Sequence, residues 1–200
     1  GYPVIQRRIG GGTVFLDPSQ LFYQCVFHRS RAPFDVAAIY RRFLTPAVRA
    51  LQALGLPAAL EAINEIEVGG RRIAGTGGGQ IGNAVVVVGN FLFDFPAEVM
   101  ARAWRVPSPE FRRLAEDGLR RHLATLSLTA GNHPAEAEVR EQLLRAYEEE
   151  LGRPLVPGTL SPFEEAAVLR EEKRLAHLDE AGNGGWRRRD PLVARGRVAA

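Results

Sequence analysis

Arg7-Arg8-Ile9-Gly10-Gly11-Gly12-Thr13-Val14-Phe15-Leu16-Asp17 joins two arginines to three consecutive glycines and then to a β-branched and aromatic run. Glycine has no Cβ, so three in succession let the backbone take φ > 0 and offer bare N–H groups to a ligand. Guanidinium groups beside such a loop suit phosphate or carboxylate oxygens. The run after the glycines predicts a strand that anchors the loop. A turn at Asp17-Pro18-Ser19 then predicts a return strand over residues 21–28, giving a hairpin-like pair. Taken alone, the triglycine fits a plain turn as well as an anion cradle. The rest of the chain decides between them.

Two hundred residues suit one domain with a small appendage. A hydrophobic share of 46% and a charged share of 24% are those of a globular chain, and a net charge of +3 is too small to imply nucleic acid. Lys173 is the only lysine, so any role that normally falls to lysine must be filled by another residue. Cys25 stands alone, in the run Leu21-Phe22-Tyr23-Gln24-Cys25-Val26-Phe27, which reads as a buried strand and gives the thiol a packing role. His28, His122, His133 and His177 lack metal-ligand spacing, so no metal site is expected from them. No apolar run reaches transmembrane length and no secretory signal is present, which makes the cytoplasm the expected location, without membrane partners.

Residues 34–54 carry Val36, Ile39, Tyr40, Phe43, Val48, Leu51 and Leu54 at helical spacing. Pro46 is expected to kink or restart that helix, and Gly55 with Pro57 to end it. Residues 61–68 predict a strand, Gly69-Gly70 a turn, and Arg71-Arg72-Ile73-Ala74 a second strand. Thr76-Gly77-Gly78-Gly79-Gln80 reads as a widened ligand loop or a surface turn. Val85-Val86-Val87-Val88 predicts a strand buried on both faces, followed by a separate strand at residues 91–95. Helices are expected from Pro96 to about residue 105, from Pro109 to about 123, over 134–151 with Gly152 as stop, and from Ser161-Pro162-Phe163-Glu164 to near Gly182. The basic tail from Trp186-Arg187-Arg188-Arg189 onward is expected to be disordered, and it lacks the aromatic platform of a nucleic-acid site.

A second block sharpens the first. Asn64-Glu65-Ile66-Glu67-Val68-Gly69-Gly70-Arg71-Arg72-Ile73-Ala74-Gly75 places an asparagine, a turn, paired cations and a close-approach glycine within a dozen residues. In order, the two blocks resemble the lipoate–protein ligase A family of the biotin/lipoate ligase superfamily. Its pattern reads Arg-Arg-x-x-Gly-Gly-Gly-Ala-Val-Tyr-His-Asp, then Asn-Asp-Ile, then Gly-Arg-Lys-Ile-x-Gly. Thr13 stands where that pattern has alanine, Leu16 where it has histidine, and Gln6 where it has its first arginine. The helix at 134–151, the run Leu160-Ser161-Pro162-Phe163-Glu164-Glu165 and Trp186 continue the likeness.

The resemblance implies an α/β (α+β) fold with a mixed, largely antiparallel sheet flanked by helices. It implies a ligase-like catalytic domain over residues 1–128, a helical appendage over 129–182 and a tail over 183–200. It also implies that ATP, with Mg2+, activates lipoate or octanoate to an acyl-adenylate, and that the acyl group passes to a carrier-protein lysine. The expected partners are lipoyl domains of 2-oxoacid dehydrogenase complexes or the glycine cleavage H protein. Carried over position by position, the substrate and nucleotide site is Arg7, Gly11, Gly12, Thr13, Val14, Phe15, Asn64, Arg72 and Gly75. The family's catalytic lysine falls on Arg72, which keeps the charge in a longer, planar group. Val88-Gly89-Asn90 departs from the family's His-Gly-Thr or His-Gly-Ser, and the family's upstream strands have no counterpart before Gly1, as though an N-terminal part were missing. Two other readings remain: an acyl- or nucleotide-binding paralogue without turnover, and an octanoyltransferase. The transferase's cysteine would sit just before the second block, where Pro57-Ala58-Ala59-Leu60-Glu61 has no thiol.

Overall fold

The four valines lie at the middle of the molecule. They belong to β5 (Ala84–Leu92), which pairs antiparallel with β1 (Gln20–His28) on one side and β4 (Arg71–Ile81) on the other. The computed structural model describes residues 13–131 and 133–182, with side chains up to Arg174. Its sheet has five strands in the order β1-β5-β4-β3-β2, with β2 at Ala58–Glu61 and β3 at Glu65–Val68. All four strand pairings are antiparallel, and a lone parallel bridge joins Arg72 to Leu123.

One face of the sheet carries Tyr23, Cys25 and Phe27 from β1, Val87 and Phe91 from β5, and Ala74 from β4. Against it pack α1 (Val36–Ala53) and α5 (Glu136–Leu151), which contribute Leu44, Ala47, Leu51, Val139, Leu143 and Tyr147 to one core. The Tyr147 hydroxyl donates to the Phe43 carbonyl at 2.6 Å and ties the two helices together. Thus α5 belongs with the sheet, and that compact unit runs through Pro157. Three shorter helices follow β5: α2 (Ala97–Ala103), α3 (Pro109–His122) and α4 (Leu126–Thr129). A second unit from Gly158 contains α6 (Pro162–Gly182), opened by reciprocal bonds between Ser161 and Glu164. The tail expected to be disordered lies outside the described residues.

Several expectations are corrected. Residues 14–17 form no strand, and β1 pairs with β5 instead of with them. The β1 strand is half-buried, with Phe22 and Val26 on the outer face. Residues 61–68 are two strands, because a turn at Ala62-Ile63-Asn64, with Ala62 at φ 50°, folds β3 back on β2. Residues 85–92 are one strand, running unbroken through Gly89 and Asn90. Helix α1 continues past Pro46; the Thr45 hydroxyl donates to the Arg41 carbonyl at 2.6 Å beside the missing proline donor, and the ring is buried.

The largest correction concerns residues 76–80, which are strand and not loop. A Cβ at Gly78 would lie 3.0 Å from both the Tyr40 hydroxyl and the Val86 carbonyl, so the missing side chain makes room for α1. Glycine here permits packing and does not create a turn.

Candidate functional site

The second block folds into a β3–β4 hairpin whose register slips once. Ile66 faces Ala74, but Glu67 faces Arg72, so Ile73 is an extra residue on β4. Strict alternation would put Arg72 on the same face as Ala74, toward the core. With the bulge, Ile73 and Ala74 are both buried, and Arg72 joins Gly75 and Asn90 on the opposite face. The bulge therefore brings the cation and the close-approach glycine to one surface.

Arg72 is half-exposed and its guanidinium forms an ion pair with Glu65. The two groups lie in a cleft of about 210 Å³ lined also by Glu67, Gly70, His122 and Leu123. The far wall is the end of α3, which is fastened to β4 from both sides. Arg71 donates to the carbonyls of Arg120, at 3.0 Å, and Leu123. In return the Ala124 amide donates to the Arg72 carbonyl at 2.8 Å. Asn64 sits in the turn before Glu65, and its carbonyl accepts a bond from the Thr76 hydroxyl, next to Gly75. Asn64 is thus tied to the residue after Gly75, and its neighbour Glu65 to Arg72.

The described end of the first block, residues 13–17, is joined to Gly75 by a route the sequence did not reveal. Arg7, Gly11 and Gly12 lie outside the described residues. Thr13 and Val14 are exposed, and Phe15 is half-buried. The Gln20 amide donates to the Phe15 carbonyl at 2.9 Å, and its oxygen accepts from the Asn90 amide at 2.7 Å. A Cβ on Gly75 would overlap Asn90 Oδ1. Thr13, Val14 and Phe15 are therefore linked to Gly75 through Gln20 and Asn90. Asn90 is the one polar side chain in the run from Val85 to Phe93, which is a signal the sequence does contain.

Cys25 points to the core face of β1, and burial pushes its thiol above the ordinary value. That disfavours the thiolate a nucleophile requires. Among the described residues no three histidine, cysteine, aspartate or glutamate side chains gather to hold a metal, and no helix is long and apolar enough to cross a membrane.

The model of the lipoyl protein ligase A/B catalytic domain matches residues 1–148. The chain belongs to that family. Members of the lipoyl protein ligase A/B family include transferases and ligases, and relatives of both kinds are similar to this chain. An octanoyltransferase, LipM of Symbiobacterium thermophilum, is 27% identical over 208 residues, covering 92% of this chain and 72% of its own length. The lipoate–protein ligase LplJ of Bacillus subtilis is 26% identical, covering 72% of this chain and 43% of its own length. Among solved structures, the bipartite lipoate–protein ligase of Thermoplasma acidophilum, studied with its E2 lipoyl domain, superposes with a TM-score of 0.71 at 22% identity. That match covers 88% of this chain and 66% of the archaeal one. The expected sheet flanked by helices is thus the fold of the ligases. The chain spans less than half the length of the Bacillus ligase.

Proposed function

We propose that the chain is the catalytic core of a lipoate–protein ligase, which activates lipoate or octanoate with ATP and transfers the acyl group to a carrier-domain lysine. The observation that supports this reading is the β4 bulge, which turns the Arg72 cation to the same face of the sheet as Gly75. Its bond to Glu65 joins two partly exposed groups and is worth only about 0–1 kcal/mol, so an incoming anion can displace it. A half-exposed guanidinium beside bare glycine backbone fits a nucleotide phosphate and an acyl carboxylate together.

In the first step a carboxylate oxygen of the acid attacks the α-phosphorus of ATP and pyrophosphate leaves. In the second, the deprotonated lysine amine attacks the acyl carbonyl and AMP leaves. Arg72 neutralises charge developing on the phosphate and carbonyl oxygens in both steps. A guanidinium does not give up its proton in this range, so its role is electrostatic. Arg7 and the backbone of Gly11, Gly12, Thr13, Val14 and Phe15 are assigned to the nucleotide, with Mg2+ arriving on the ATP. The carrier is a lipoyl domain of a 2-oxoacid dehydrogenase complex or the glycine cleavage H protein.

The octanoyltransferase reading calls for a polarised, accessible thiol. Cys25 is half-buried with its thiol held protonated, which favours the ligase. Mass spectrometry of a lipoyl domain incubated with the chain, lipoate, ATP and magnesium separates the readings. A lipoyl adduct that requires ATP is expected. Acylation from an octanoyl carrier without ATP would replace the ligase with a transferase. Ligand binding without any adduct would leave a binding protein.

A further inference from the structure

We propose that Gln20 and Asn90 are positioning residues, a two-amide latch that fixes residues 13–15 against the Gly75 floor and so sets nucleotide affinity. The proposal rests on the ligase reading for its ligand, but the latch itself is read from geometry. Gln20 opens β1, and Asn90 sits on β5 one step along the same outer face, since Phe22 is the residue directly opposite Asn90. The Phe15 carbonyl can only accept, so it fixes Gln20 with its nitrogen toward the loop and its oxygen toward Asn90. That oxygen in turn fixes Asn90 with its nitrogen toward Gln20, leaving Oδ1 over Gly75.

Asn90 is only 9% exposed, and its polar side chain is held in an otherwise apolar strand by this bond. The loop's position is thereby coupled, through Gln20, to a residue seventy positions after Gln20 in the chain. Gly75 is obligatory for the same reason, because any Cβ there would displace Asn90 Oδ1 and with it Gln20. Without the latch, residues 13–15 would be held less firmly before the nucleotide binds, and the added ordering would weaken binding.

Three variants test the latch. Gln20→Leu removes both bonds, together with the longer 3.5 Å contact from the Gln20 amide to Asp17 Oδ1. Gln20→Glu keeps an acceptor for Asn90 but loses the donor to Phe15. Both should raise the KM for ATP about tenfold, as expected for one lost hydrogen bond, with kcat within about twofold. Amide hydrogen exchange at residues 14–17 should quicken in both while exchange in α1 and β5 is unchanged. Gly75→Ala should also lose ATP affinity, because its Cβ would push Asn90 Oδ1 from its place and pull the Asn90 amide off Gln20. Unchanged exchange at 14–17 in Gln20→Leu, or wild-type ATP affinity in Gly75→Ala, would overturn the latch. If the wild-type chain makes no adenylate, the ligase reading fails. The latch is then still judged by hydrogen exchange at residues 14–17 in Gln20→Leu and Gln20→Glu.

Discussion

Replacing Arg72 with alanine separates catalysis from folding. Side chains of Arg72 and Glu65 are 45% and 36% exposed, so their ion pair contributes at most about 1 kcal/mol to stability. For a unit of this size, 1 kcal/mol corresponds to about 2–4 °C in melting temperature, and Arg72→Ala should lose no more than that. Loss of one preorganised donor to developing charge costs about 10²–10³ in rate, equivalent to about 2.7–4 kcal/mol. Carrier lipoylation by Arg72→Ala should therefore fall at least a hundredfold in kcat/KM while the protein melts almost normally. Arg72→Lys keeps the charge in a compact ammonium and should retain turnover within about tenfold of wild type. The assay is steady-state lipoylation of a lipoyl domain beside differential scanning fluorimetry of the same preparations. Half or more of wild-type activity in Arg72→Ala would remove Arg72 from the site. A melting temperature lowered by more than about 10 °C would make it a structural strut instead.

Other substitutions probe the framework. Phe91 is fully buried with its ring 5.7 Å from that of Tyr23, so Phe91→Ala should cost about 3–5 kcal/mol in denaturant unfolding. Burial, foremost, pushes the Tyr23 and Tyr147 phenols above their ordinary value of 10.0. Their protonated forms are favoured in the folded state, so this stabilisation is complete below pH 10. It is lost as pH rises further and the unfolded chain ionises first. Melting scans in alkali should show that decline, and Tyr147→Phe should flatten it while costing about 1 kcal/mol at neutral pH through the lost bond to Phe43. Cys25→Ser should leave kcat for carrier lipoylation within about twofold, and a still-folded serine variant without turnover would restore the thioester mechanism.

The helices were legible where local chemistry marks their ends. Pro109 and Pro162 stand at the first positions of α3 and α6, and Gly152 closes α5 in the left-handed region at φ 62°. The strands were legible where apolar patterning is strong, as at the valine run. The glycines of β4 were not, because the reason for Gly78 is Tyr40 on α1, far away in sequence. Likewise Arg72 was singled out through the family resemblance, but its face depends on a register slip that no local propensity announces. Glu65, which neutralises Arg72, was visible only as part of a motif. The pairing of Gln20 with Asn90 escaped notice because each is an ordinary amide until the sheet sets one beside the other.

Adenylate formation is the step on which the proposed function stands, and it can be measured without any carrier. Wild-type protein given labelled pyrophosphate, ATP, magnesium and lipoate should move label into ATP only when lipoate is present. Absence of lipoate-dependent exchange, in protein that is folded and binds lipoate, would contradict the assignment of Arg72 and the glycine blocks to acyl activation.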